Sequence, residues 1–370
     1  MKYYIIAGEA SGDLHGSNLM KALYKEDPSA EIRFWGGDLM QGVGGTLVKH
    51  YRDLAFMGFA EVVMNLKTIL DNIKFCKADI EKFHPDVIIF IDYPGFNMRI
   101  AKWAKQKGIK THYYIAPQIW AWKENRIKAV KSDFDKLFVI LPFEKDFFEV
   151  KHNFPVEFVG HPLIDAIHNR SKTDEPAFRK ENNLDERPII ALLPGSRKQE
   201  IAKMLSVMLS IVADFPEHQF VIAGAPSQEF NFYEQFLTTK NVKFVSNKTY
   251  DLLSVATAAL VTSGTATLET ALFKVPEVVC YKGSWASYQI AKRIITLKYI
   301  SLVNLIMDEE VVTELIQDKL NPKNLKKELA KLLDDKYRMT LMEKYDKLET
   351  KLGGIGASEK TAKLILNDLK

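Results

Sequence analysis

Five consecutive residues, Val87-Ile88-Ile89-Phe90-Ile91, are apolar, and the run ends at once on Asp92-Tyr93-Pro94-Gly95. A strand with one wet face alternates apolar and polar side chains, so a run this short and uniform belongs to a strand buried on both faces. Helices on both sides of a mostly parallel sheet supply that burial. Similar runs rich in Tyr, Ile, Val and Phe recur at 3–7, 31–35, 111–115 and 137–141, with helical stretches between most of them. After Gly160-His161-Pro162 the sequence turns polar, and strand-like runs resume at 189–193, 219–223, 242–245 and 258–261. The predicted fold class is α/β, with two Rossmann-like doubly wound domains facing an interdomain cleft, because open sheets of this kind bind ligands beyond the carboxyl ends of their strands.

A chain of 370 residues, 47% hydrophobic, is long enough for about two domains of ordinary size. The expected limits are 1–168, 169–345, and a C-terminal helical segment, 346–370, packing back on the first domain. A net charge of +4 lacks the concentrated positive charge of a dedicated nucleic-acid binder. Cys76 and Cys280 are far apart and outside any C-x-x-C spacing, which suggests neither a disulfide framework nor a thiolate metal site and fits a reducing cytoplasm. The apolar run in MKYYIIAGEASGD is too short for a signal-peptide core and reads as a first strand. No stretch reaches the roughly 18 consecutive apolar residues that span a bilayer, so membrane contact is expected from the surface.

Two turns could hold an anion. In VTSGTATLET (261–270) an apolar strand meets Ser263-Gly264-Thr265 and then a helix, whose first turn leaves backbone N–H groups unpaired. Ser263, Gly264, Thr265 and Thr267 let a phosphate approach the backbone, and the plainer alternative is that Ser263 or Thr265 simply caps the helix, as such residues do routinely. In LLPGSRKQEI (192–201) Arg197 follows Gly195-Ser196 at a strand end, and guanidinium suits a diphosphate. Glu269 lies one helical turn inside its helix, placed to accept from ribose hydroxyls or to compensate the dipole. AGEASGDLHG lacks the G-x-G-x-x-G spacing of a dinucleotide fold, and the Walker lysine pattern is absent.

Taken together, GEASGD (8–13), GGDLM (36–40), MGFAEV (57–62), IDYPGFN (91–97), YIAPQIWAW (114–122), LPFEK (141–145), VGHPL (159–163), LLPGSRKQEI (192–201) and SGTATLE (263–269) resemble the lipid-A-disaccharide synthase family over nearly the whole chain. The resemblance implies an inverting glycosyltransferase of GT-B architecture that joins UDP-2,3-diacylglucosamine to 2,3-diacylglucosamine 1-phosphate (lipid X). The products are the β-1,6-linked lipid A disaccharide 1-phosphate and UDP. It also implies a cytoplasmic enzyme held peripherally at the inner membrane, with a homodimer as one possible assembly. The UDP-sugar is then a substrate, and no cofactor is expected. In ISLVNLI (300–306) Val303 stands where many relatives carry proline, while Asn304 matches a nucleotide-site position.

On that family pattern Asp92, ending the most apolar strand, is the candidate base for the acceptor hydroxyl, although a carboxylate there could also cap the following helix. Glu9, Ser11 and Asp13 are expected to face the same cleft and bind sugar, with Asp13 the alternative base. No metal is expected, because Arg197 and the SGTATLE helix can neutralise the diphosphate. Asp133-Phe134-Asp135 is a literal D-x-D, but it precedes a strand, on the wrong end for the cleft, and reads as a solvated turn. His161 is expected near the nucleotide rather than on a metal. Trp120 and Trp122 could wall the cleft or serve as core.

In 59–75 Phe59, Val62, Val63, Leu66, Ile69, Leu70 and Ile73 share one helical face, a stripe that is ordinary core by default. Phe56, Met57 and Met64 lie off it beside Lys67, Lys74 and Lys77, a composition suited to a lipid interface. Trp285, Tyr288 and Ile290 with Lys292, Arg293 and Lys298 form a second such cluster, which packing between domains or subunits would also explain. Two rivals remain at this level: another UDP-sugar enzyme of the same architecture, whether a polyprenyl-acceptor transferase or a sugar-nucleotide 2-epimerase, and a non-catalytic nucleotide- or lipid-binding relative.

Overall fold

The computed structural model describes residues 1–54, 66–225, 228–237, 240–283 and 298–370. The off-stripe residues Phe56, Met57 and Met64, the MGFAEV motif, and Trp285, Tyr288, Ile290, Lys292 and Arg293 lie outside the described residues. The chain forms two compact units, Met1–Asn169 with Leu352–Lys370, and Arg170–Lys351.

Unit 1 holds seven parallel strands: β1 (Lys2–Ala7), β2 (Glu31–Gly36), β3 (Thr46–His50), β4 (Val87–Ile91), β5 (Lys110–Tyr114), β6 (Lys136–Val139) and β7 (Glu157–Phe158). Their spatial order is β3-β2-β1-β4-β5-β6-β7, so the winding reverses between β1 and β4. All five β4 residues are buried, as the uniform run required. One core layer is built on Tyr4, Trp35, Phe90 and Tyr113, and it is not wholly apolar. Trp35 Nε1 donates to Tyr4 Oη at 2.9 Å, and Tyr4 donates to Asp79 at 2.8 Å. Asp79 also takes a two-pronged contact from Arg33, so the Leu66–Phe83 helix is fastened to the sheet through satisfied polar groups.

Unit 2 has six parallel strands: β8 (Ile189–Leu193), β9 (Gln219–Gly224), β10 (Val242–Ser246), β11 (Ala258–Thr262), β12 (Glu277–Tyr281) and β13 (Thr313–Ile316). Their order is β10-β9-β8-β11-β12-β13, with the reversal between β8 and β11.

Every strand expected from the sequence is present. The strands β3, β7, β12 and β13 carry no mark in the sequence pattern above. The return to unit 1 comes at Leu352, not at residue 346, because the helix Asp335–Lys351 runs unbroken past that point. The final helix, Ala357–Leu369, is held by Asp165, whose carboxylate accepts from Gly356 N at 2.7 Å and Ser358 N at 2.9 Å. Its far end is fixed by Asp368, beside Lys110 and 3.1 Å from His112 Nε2.

The D-x-D pair does lie before a strand, β6, but only its second aspartate, Asp135, is solvent-exposed. Asp133 is buried, and Asp135 accepts from Thr111 N at 3.0 Å and pairs with Lys105, tying β5 to its neighbours. Cys76 and Cys280 are both free and buried.

Candidate functional site

Both reversals in strand order open a crevice at the carboxyl ends of the strands, and the candidate residues collect there. In unit 1, Gly8 and Glu9 follow β1 while Asp92 and Tyr93 follow β4. Gly8 is required by a close approach, since a Cβ on it would lie 2.3 Å from the Tyr93 ring. Asp92 (φ +45), Tyr93 (φ +52) and Ile115 (φ +61) are all left-handed, a conformation costing about 1–3 kcal/mol for residues with side chains. The surroundings hold the strain in place. The Asp92 carbonyl accepts from Asn97 Nδ2 at 2.6 Å and from Tyr113 Oη at 2.8 Å, while Tyr93 stacks on Phe96.

The Asp92 carboxyl is raised above the usual aspartate range by desolvation, which the Tyr93 N–H partly offsets. Glu9, exposed at the rim, is also raised, first by desolvation and then by the charge of Asp92. Glu9 and Asp92 therefore form an interacting pair of carboxyls, whereas Ser11 stands exposed in the first turn of the Ala10–Glu26 helix.

Asp13 does not join them. Its carboxylate accepts from Gly37 N at 2.7 Å, Leu39 N at 3.0 Å and Met40 N at 3.0 Å, and it is buried. It closes the open N-terminus of the helix Asp38–Val43, so its lone pairs are committed to backbone donors and not to a substrate proton.

In unit 2, Gly195, Ser196, Ser263, Gly264, Thr265 and Glu269 line one pocket of about 350 Å³. Thr265 opens the helix Thr265–Leu272, and Gly264 and Thr265 are exposed at its mouth. Arg197 follows as the N-cap of the helix Lys198–Met208 and is exposed. Glu269 accepts from Tyr250 Oη at 3.0 Å, and burial raises its carboxyl above the usual range.

Two predicted ligands turn inward. Thr267 is fully buried, its hydroxyl donating to Gly264 O at 2.9 Å. Asn304 is fully buried too: its Oδ1 accepts from Val311 N and Val312 N, and its Nδ2 donates to Val312 O and Glu314. Asn304 still bears on the pocket at one remove. Glu314 accepts from Ile300 N and Ser301 N, and Ile300 O accepts the Ser263 hydroxyl at 3.0 Å. Asn304 and Glu314 thus fix the backbone that orients Ser263.

His161 is an N-cap, its Nδ1 accepting from Leu163 N at 3.2 Å at the start of Pro162–His168. Burial and the neighbouring His15 lower it to about 3, so it stays neutral. Trp120 donates to the buried Glu144 at 3.1 Å and packs edge-on against Phe143, which makes it part of the scaffold. Burial pushes Glu144 to about 7, against three N–H donors from Leu141, Ile140 and Trp120.

Asn97, Tyr113, Glu200, Tyr250 and Glu314 were missed by sequence reasoning. Only Asn97 and Glu200 lie inside the quoted motifs, and nothing in local spacing separates a supporting group from an ordinary polar residue. Among the described residues no group of three or more His, Cys, Asp or Glu side chains is placed to hold a metal ion.

The family model for lipid-A-disaccharide synthetase matches residues 3–366. The chain is 38% identical to the lipid-A-disaccharide synthase of Syntrophus aciditrophicus, over 99% of its own length and 97% of the relative's. It is 37% identical to that of Coxiella burnetii (strain CbuG_Q212), over 98% and 97%. Among solved structures it is similar to the UDP-GlcNAc 2-epimerase from Neisseria meningitidis bound to UDP-GlcNAc, with a TM-score of 0.69 at 14% identity, covering 100% of this chain and 99% of that one. The glycotransferase of kitacinnamycin gives the same TM-score, identity and coverage. At such identities the structural likeness shows the fold alone, two Rossmann-like units of the GT-B kind.

Proposed function

The chain belongs to the lipid-A-disaccharide synthase family and is a glycosyltransferase of lipid A biosynthesis, and from that premise we propose a division of labour between its two units. The reaction condenses UDP-2,3-diacylglucosamine with lipid X. Asp92 takes the proton from the acceptor 6-hydroxyl as that oxygen bonds to the anomeric carbon, and the carbon–oxygen bond to the diphosphate breaks on the opposite face. The electron pair leaves with UDP. Glu9 and Ser11 contact sugar hydroxyls beside Asp92. In unit 2 the uridine diphosphate sits in the Gly195–Ser263–Glu269 pocket, its phosphates against the turn N–H groups and Arg197, and its ribose against Glu269.

The observation that carries this reading is the pairing, in one chain of this family, of a strained and desolvated aspartate with a pocket lined by two strand-to-helix turns. Arg197 and the first turn of Thr265–Leu272 supply positive potential where charge develops on the leaving group, which leaves no step requiring a metal.

The test is turnover by purified protein in detergent with both acylated sugars and a chelator, followed by mass spectrometry. Disaccharide and UDP are the expected products. Absence of disaccharide with UDP binding intact would overturn the acceptor assignment, and activity abolished by chelation would overturn the metal-free mechanism. Arg197→Ala is expected to weaken UDP binding roughly tenfold to a hundredfold, the size of one charge-assisted contact, read by calorimetry.

We also assign attachment to the inner-membrane surface. No helix among the described residues is long and apolar enough to cross a membrane. On Leu66–Phe83, Leu70 and Phe75 are exposed large apolar side chains, with Lys67 and Lys74 exposed close by. Ile73 faces the core. Apolar side chains flanked by lysine suit an anionic interface, where each basic residue contributes about 1 kcal/mol.

A further inference from the structure

The nucleotide pocket already contains an anion of its own. Glu200 lies in the first turn of Lys198–Met208, and its carboxylate folds back over the Gly195–Ser196 turn. Ser196 N donates to Glu200 Oε2 at 3.3 Å, and a Cβ on Gly195, which has φ +100, would lie 2.2 Å from that same oxygen. The side chain therefore covers the turn that would receive a phosphate, and it lies in the positive potential of the same helix N-terminus.

Its hold is light. The hydrogen bond from Ser196 N is long, and Glu200 is only half-buried. A carboxylate and a phosphate cannot occupy one set of donors, and two like charges so close repel.

Resting on the nucleotide reading above, we propose that Glu200 is a displaceable internal anion: it closes the Gly195–Arg197 turn when the pocket is empty, gives way to the diphosphate, and returns as UDP leaves. Its consequence is a nucleotide affinity held below what the turn and Arg197 could otherwise reach. Product release is correspondingly faster. The choice of Glu also biases the pocket towards ligands that bring a full diphosphate, because a ligand with less charge gains too little at the turn to expel the carboxylate.

The test is calorimetric binding of UDP and of uridine to the full chain and to Glu200→Gln and Glu200→Asp. Glutamine removes the charge at constant length, and aspartate keeps the charge but falls short of Ser196 N. UDP is expected to bind both variants roughly tenfold more tightly, the scale of one charge-assisted hydrogen bond, with slower release. Uridine, which does not reach the turn, should bind as before. UDP binding weakened or unchanged in both variants would overturn the proposal and make Glu200 a plain structural cap. Failure of the unaltered protein to bind UDP would instead remove the nucleotide reading, and this inference with it.

Discussion

Asp92→Asn is expected to lower the turnover number about 10²- to 10⁴-fold, the contribution of a positioned general base. The amide matches the carboxylate in shape, and the contacts that hold residue 92, from Asn97 and Tyr113, reach its backbone carbonyl rather than its side chain. Geometry should survive while the proton acceptor is lost. The stability effect has the opposite sign from a usual substitution. A carboxyl raised in the folded state contributes stability below its unfolded value and loses it as pH rises through the folded value. The charged form of Asp92 is therefore a burden to the fold, and at a pH above its folded value the asparagine protein should melt no lower than the parent. The acid limb of the parent's pH–rate profile should also lie above the ordinary aspartate range, and Asp92→Asn should lower the Glu9 carboxyl by removing a like charge. A folded Asp92→Asn protein with near-normal turnover would exclude Asp92 as the base.

Asp13→Ala is expected to act on the fold instead. Removing its carboxylate leaves three backbone N–H groups at the start of Asp38–Val43 without an acceptor, two of them buried. Each buried donor left unpaired costs about 1–3 kcal/mol, and with partial relaxation the total should be roughly 3–5 kcal/mol. The thermal midpoint of unit 1 should fall by roughly 10 °C, and circular dichroism during heating would register it. Were Asp13 instead the base, the variant would melt like the parent and simply be inactive.

The difference between these two aspartates marks how far the sequence carries. Runs such as VIIFI and IIALL announce strands buried on both faces, and their ends announce crevices, because a parallel sheet leaves few other places for a short uniform run. Glu9 and Asp92 follow the ends of β1 and β4, and Gly195 and Ser263 those of β8 and β11. What local spacing cannot show is which way a polar side chain faces. Asp13, Thr267 and Asn304 all lie within or beside motif residues, yet each spends its hydrogen bonds inward: Asp13 on three backbone N–H groups, Thr267 on Gly264 O, and Asn304 on Val311, Val312 and Glu314. The strands without a sequence mark have particular reasons: β7 is two residues long, β13 is TELI, and β12 begins on a buried Glu277 that interrupts the expected apolar run.

The return of the chain to unit 1 at Leu352 has a consequence for how the protein is made. Residues 352–370 leave the ribosome only after all of unit 2, yet Asp165 and His112 of unit 1 wait for partners at Gly356, Ser358 and Asp368. Unit 2 is continuous in sequence and needs no segment made after it, whereas the earlier-made sheet lacks its last helix until residues 352–370 are free to dock. A released chain ending near residue 351 would therefore hold all of unit 2 joined to an uncapped first unit. The unit made first is thus the last to be completed.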